Sequence, residues 1–143
     1  MLFLAQTDTT VGFLSHSSER INRAKQRSHS QKVLQTFPSF KALSHHTRVP
    51  LKHRQFVRRS RKTTFVLENG MAFRVVDKAS MHSSLLKSMG PVYSSSANVT
   101  QKSFNEYDAC LQSDIIVKDR RGFFEATASE MFKLSRTDKK RIR

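Results

Sequence analysis

The sequence predicts an α/β fold: a twisted mixed β-sheet with helices packed on it, in a single domain spanning residues 1–143. Three observations lead there. Strand-like and helix-like segments alternate along the chain, an Asn-Gly pair joins two β-rich runs as a hairpin, and 37% of residues are hydrophobic, including 11 Phe, enough apolar material to form a core. At 143 residues the chain has the length of one domain.

The elements follow in order. Leu2 to Ala5 reads as a buried strand, and the polar Thr7 to Thr10 opens a loop running to Ser17. Ser17 suits an N-cap, followed by a helix through Ile21 and Ala24 that ends near Lys25. Lys32 to Phe37 is β-leaning, and Pro38-Ser39 starts a helix with Phe40 and Leu43 on one face. Arg48 to Lys62 reads as a solvated basic helix anchored by Leu51 and Phe56. Thr63 to Leu67 and Met71 to Val76 flank Glu68-Asn69-Gly70, where Asn-Gly predicts a type I′ turn. Ser80 caps a helix with Leu85, Leu86 and Met89 inward; Gly90-Pro91 stops it, and Val92 to Ser95 forms a strand. Ser103 and Glu106 have capping-box spacing, opening a helix with Tyr107, Cys110 and Leu111 on one side before the strand Asp114 to Val117. Beyond a turn at Arg120-Arg121-Gly122 come a strand at Met131 to Leu134 and a basic tail, about 135–143, expected to fray.

Charge narrows the partners. The 26 Lys and Arg outnumber the 11 Asp and Glu to give +15, more than solubility requires, so a polyanionic partner competes with a plain solvated basic surface. Cys110 is the only cysteine, which excludes an intramolecular disulfide and a thiolate-rich zinc site and points to a reducing, cytoplasmic compartment. No apolar run approaches the roughly 20 residues that cross a bilayer, so no membrane partner is expected. His45, His46 and His53 sit among cations without nearby carboxylates or thiolates; they read as surface imidazoles, and no protein-held metal site is expected.

With 4 Gly in all, there is no Gly-rich phosphate loop and no dinucleotide fingerprint, nor a Gly-x-Ser-x-Gly elbow. Three short constellations remain. Lys25-Gln26-Arg27 sets an ammonium and a guanidinium at i, i+2, on one side of an extended chain, suited to gripping phosphate; a chain this basic also contains Lys-x-Arg by chance. Ser96-x-Asn98 follows a strand's carboxyl end, where α/β sheets bind ligands; an ordinary Ser/Asn turn would look the same. Thr7-Asp8-Thr9 occupies the equivalent place after the first strand, with turn capping as its plain alternative.

In their joint order these segments resemble the YrdC-like family (TsaC, Sua and YciO types) of threonylcarbamoyl-AMP synthases. The family's Pro-Thr-Asp-Thr-x-Tyr-Gly-Leu is similar to Gln6 to Phe13, its Lys-x-Arg-Pro to Lys25 to Ser28, and its Thr-Ser-Ala-Asn to Ser95 to Asn98. Thr63-Thr64 and Phe73-Arg74-Val75 suit its Thr- and Arg-bearing strands. Gln6 and Val11 stand where the family has Pro and Tyr, and Ser28 and Lys32 where it has prolines. The resemblance implies a nucleotidyltransferase that joins L-threonine, bicarbonate and ATP, with Mg2+ accompanying the nucleotide, into threonylcarbamoyl-AMP and pyrophosphate. Downstream threonylcarbamoyl transferase proteins would place the group on tRNA. It implies catalytic roles for Lys25 and Arg27 and ATP or substrate binding by Thr7, Thr9, Thr63, Arg74, Ser96 and Asn98. The alternative is a non-catalytic tRNA or double-stranded RNA-binding protein of the same fold, drawing its affinity from the Arg48 to Lys62 stretch.

Overall fold

The structure, a computed structural model, describes residues 1–143 and contains nine strands and five α-helices. They form two compact units: Met1–Val33 with Val92–Ala128, and Leu34–Pro91 with Ser129–Arg143.

In the first unit the strands lie in the order β7-β1-β2-β6. β1 (Phe3–Gln6) pairs antiparallel with β2 (Val11–Ser15) and parallel with β7 (Ile115–Val117), and β2 pairs antiparallel with β6 (Val92–Ser96). β2 corrects the expected strand, loop, helix opening to strand, turn, strand, helix. Its five residues are all buried, so it lacks the polar alternation that marks a half-exposed strand, and Gly12 at its second position weakens the β signal further. Helix α1 (Ser18–Ala24) starts at the expected cap: the Ser17 hydroxyl accepts from the Arg20 N–H. Leu2, Leu4, Val11, Phe13, Ile21 and Ala24 build the core of this unit. Helix α5 (Glu106–Gln112) is capped by Asn105 and not by a Ser103 box, and it buries Ala109. Tyr107 and Leu111, expected with Cys110 on one side of this helix, are 71% and 68% exposed, because a helix of two turns with one small buried side chain docks on a narrow stripe.

The second unit runs β3-β5-β4-β8-β9. β3 (Leu34–Phe37) is parallel to β5 (Ala72–Val75), β5 antiparallel to β4 (Thr63–Leu67), β4 parallel to β8 (Glu130–Leu134), and β8 antiparallel to β9 (Lys139–Arg141). The basic tail is therefore strand, not fray: the Met131 N–H donates to the Arg143 carbonyl at 2.9 Å. The hairpin between β4 and β5 is present, but only Gly70 of its loop has positive φ (82°). With Gly70 N–H bonded to the Leu67 carbonyl, the three-residue loop is a type I turn closed by a left-handed glycine rather than a type I′ turn.

Helices α2 (Phe40–Ser44) and α4 (Met81–Met89) start at Ser39 and Ser80, whose hydroxyls cap them. The basic stretch is no single helix. Pro50 halts the chain, a 3-10 turn covers Leu51–His53, and α3 covers only Arg54–Arg59. Leu51 is exposed, while Val49 and Val57 are the buried anchors. His53 is no surface imidazole: it is buried, with Nε2 2.9 Å from the Ser135 carbonyl. The core of this unit is aromatic, with Phe56 edge-on to Phe65 and Phe132 at 5.6 and 5.1 Å.

Candidate functional site

Helix α1 ends in a reversal that aims two cations. Gln26 sits at φ 54°, its N–H donating to the Arg23 carbonyl, and the Arg27 N–H donates to the Asn22 carbonyl, the paired bonds of a Schellman cap. The Lys25–Arg27 segment is thus a tight turn and not extended chain. Lys25 is 4% exposed, and its Nζ donates to the carbonyls of Ser96 and Asn98, both at 2.8 Å, with Ser96 Oγ and Asn98 Oδ1 at 3.3 Å. A buried ammonium needs this many acceptors to offset lost hydration. Burial, then the nearby Arg27 charge, lowers the Lys25 pKa to about 8. Arg27 is half-buried, Nε donating to Asn22 Oδ1 at 2.7 Å, and burial lowers its pKa also.

Lys25 and the Ser96–Asn98 turn, more than 70 residues apart in sequence, therefore meet. Asn98 acts as a brace: Oδ1 accepts from Ser96 Oγ at 2.6 Å, and Nδ2 donates to the carbonyls of Val99 and Lys102. A cavity of about 520 Å³ opens beside this turn, bordered by Gln26, Asn98, Lys102, Asn105 and Asp108. Its size falls within the range of small-molecule sites.

Thr7 and Thr9 sit at the β1–β2 turn in the same unit. Thr7 Oγ1 donates to the Thr10 carbonyl at 2.6 Å and accepts from the Thr9 N–H, so turn bracing describes what Thr7 does. Its methyl lies over Gly12, where an added Cβ would come within 2.9 Å of Thr7 Cγ2 and 3.0 Å of the Ser95 carbonyl. Glycine is what lets the turn close on β6. Gln6 Nε2 donates to the Thr9 carbonyl while its Oε1 accepts from the Phe124 N–H. Arg121 completes the clamp, reaching the Gln6 and Thr7 carbonyls at 2.9 and 3.0 Å and pairing with Asp119 at 2.6 Å, which holds the Asp119 carboxyl below its usual range.

Thr63 and Arg74 belong to the second unit. Thr63 Oγ1 donates to the Arg61 carbonyl. Arg74, 7% exposed, donates from Nη2 to Thr64 Oγ1 at 3.3 Å; Thr64 Oγ1 lies 2.8 Å from Ser129 Oγ, and Arg143 Nη2 donates to Ser129 Oγ at 3.3 Å. Two guanidiniums thus bracket two hydroxyls, a donor set suited to an oxyanion. Ser129 and Arg143 escape a reading of the sequence because β9, which delivers Arg143, looks like a frayed tail. The apolar positions of β8, at Met131, Phe132 and Leu134, are the signal that a paired strand ends the chain. No group of three or more His, Cys, Asp or Glu side chains stands close enough to hold a metal ion.

No family model matches the sequence, and no curated protein matches it. Solved structures do. MTH1692 from Methanobacterium thermoautotrophicum is similar over 99% of this chain and 79% of its own, at 18% identity and a TM-score of 0.71. YciO from E. coli is similar over 99% and 82%, at 17% identity and 0.76. P. abyssi Sua5 complexed with L-threonine is similar over 99% of this chain at 18% identity and 0.78, and the present chain spans 49% of it. At these identities the shared property is the fold.

Proposed function

We propose, on the premise that this chain carries the YrdC-like fold, that it is an ATP-dependent L-threonylcarbamoyladenylate synthase acting as one domain. The observation that carries the reading is the Lys25 ammonium seated in the Ser96–Asn98 turn beside Arg27, which ties two of the three resembling motifs into one basic corner. The match of solved structures over 99% of the chain supports treating 1–143 as one such domain. The Sua5 structure holds L-threonine, which supports that amino acid as a substrate.

In this reading L-threonine and bicarbonate supply a carbamate whose oxygen attacks the α-phosphorus of ATP; the bond to the β-phosphate breaks and pyrophosphate leaves. Little side-chain acid–base work is needed, since alignment and charge stabilisation dominate such transfers. Arg27 keeps its Nη groups for phosphate oxygens while Nε holds Asn22. Lys25 adds positive charge and rigidity, Ser96 and Asn98 shape the cavity edge, and Thr7 and Thr9 hold the neighbouring turn. Arg74 with Arg143, Thr64 and Ser129 offers a second oxyanion subsite, and Thr63 starts the strand that carries Thr64. Magnesium would arrive on the nucleotide, whose phosphates are its hard oxygen ligands.

The test is pyrophosphate release from ATP with magnesium and bicarbonate, with and without threonine. Threonine-dependent release is expected, falling about a hundredfold in Arg27→Ala. Absence of threonine-dependent release would overturn the reading. Val11 favours one second reading. It stands where the family has Tyr, is 1% exposed in the core and offers no hydroxyl; the same adenylation of another amino acid's carbamate would show as release that depends on that amino acid instead.

A further inference from the structure

The edge strands of the two units are built differently. In the second unit the edge is β9, where Lys139, Lys140 and Arg141 set cation against cation in any pairing of that edge with its own copy. In the first unit the edge is β7, Ile115-Ile116-Val117, which carries no charge and leaves Ile116 45% exposed. Net charge follows the same division. The second unit holds seventeen Lys and Arg against four Asp and Glu, the first nine against seven, so +13 and +2 make up the total of +15. Copies of this chain therefore repel one another least through the first unit.

The open side of β7 is fixed by its bonded side. The Ile115 N–H donates to the Leu2 carbonyl at 3.2 Å, and β7 runs parallel to β1 through all three residues. Backbone groups of successive strand residues point to opposite sides, so the N–H and C=O of Ile116 point away from β1, to the open edge. Side chains alternate with period two, which puts Asp114, Ile116 and Lys118 in one row on one face. The row reads acid, apolar, base. Laid antiparallel against its own copy, it sets Ile116 opposite Ile116, and Asp114 opposite Lys118 twice over. Asp114 accepts from the Leu2 N–H and lies 3.6 Å from Arg20, and Lys118 pairs with Glu106 at 3.3 Å. Their side chains are still 44% and 61% exposed, and a carboxylate or an ammonium serves several partners at once.

We propose that β7 is a pairing edge for a second copy of this chain, joining two first units into one continuous antiparallel sheet about a two-fold axis at Ile116. A strand from an unrelated protein would need no such row; self-complementarity is what a second copy requires. The axis stands normal to the sheet, so the two copies of α5 lie on the same face. The Lys118 pairing with Glu106 marks that face as the one carrying the row, and the exposed Tyr107 and Leu111, one helical turn apart, give it apolar surface. Three residues of strand make a small interface, so the dimer is weak, with a dissociation constant on the order of 100 µM.

The experiment is sedimentation velocity of the full chain from about 10 µM to about 1 mM, in about 0.3 M salt to screen the +15 charge. A monomer that passes to a dimer over this range is expected. Ile116→Lys puts like charges at the axis and should weaken association at least tenfold, with an unchanged thermal unfolding transition reporting an intact fold. Lys118→Glu sets acid against Asp114 twice and should weaken it at least threefold, whereas Lys140→Glu makes the same change of net charge on β9 and should not weaken it. In a Cys110→Ser background, Ile116→Cys should form a disulfide-linked dimer under mild oxidation. Val117→Cys should not, because Val117 faces Ile115 and lies about 7–8 Å from its own copy, too far for a disulfide. An Ile116→Lys variant that dimerises normally, a Lys118→Glu variant no weaker than Lys140→Glu, or cross-linking at Val117 in place of Ile116 would each overturn the proposal. So would a chain that stays monomeric across the series, which would leave β7 to a strand from another protein.

Discussion

Lys25 shows how a residue can be found for one reason and kept for another. Its place in Lys-x-Arg suggests a free cation waiting for phosphate, yet its ammonium is closed in by Ser96 and Asn98. The physical result is a lysine whose pKa falls from 10.5 to about 8. Because the folded value lies below the unfolded one, the folded protein binds fewer protons than the unfolded chain between pH 8 and 10.5. Stability therefore rises with pH through that window. Urea denaturation at pH 7.5 and 10 should show the unmodified chain gaining stability relative to Lys25→Met, which has no proton to lose. Equal gains in both proteins would place the titration elsewhere. An anion bound beside Lys25 favours its charged form, so its affinity should weaken as pH climbs past 8. Lys25, Ser96 and Asn98 were legible because they form short motifs. His53 was not: its pairing with the Ser135 carbonyl spans 82 residues and leaves no local pattern.

At the scale of elements, the C-terminus of α1 carries a cost that its role explains. Gln26 adopts φ 54°, a left-handed conformation that glycine enters freely and glutamine does not. The reversal it permits returns Arg27 over α1 to Asn22 and leaves Lys25 pointing toward β6. Gln26→Gly should stabilise the protein by about 1 kcal/mol in thermal or urea unfolding, since it removes that strain while both capping bonds come from the backbone. A loss of stability would mean that the Gln26 side chain makes a contribution larger than its strain. Helices with hydroxyl caps, at Ser17, Ser39 and Ser80, were readable because capping is a one-residue signal. β2 and β9 were hidden for opposite reasons. One is buried throughout and interrupted by Gly12; the other is exposed along its length and wholly basic. In both, pairing partners decide the structure and side-chain periodicity does not.

Over the whole molecule, the mixed-sheet class followed from alternating elements, which survive errors in any one of them. The division of charge did not, because it depends on which segments share a unit. Residues 34–91 and 129–143 are not contiguous, and only the fold adds Lys139 to Arg143 to the basic excess around α3. The same chain path bears on synthesis. β4 lies between β5 and β8, yet β8 begins at Glu130. A nascent chain that has not reached Glu130 carries Thr63–Leu67, rich in β-branched and aromatic residues, as an open edge able to pair with a neighbour. Deleting 129–143 should therefore yield a protein that scatters light and aggregates as its concentration rises; a deletion product that remains monomeric would show that β4 is protected by other means. β1 waits in the same way for β7, since the Leu2 N–H is held by Asp114 at 2.7 Å. Each edge is covered only once its distant partner, Ile115–Val117 or Glu130–Leu134, has emerged from the ribosome, so chaperone occupancy during translation should persist until Leu134 is free to pair.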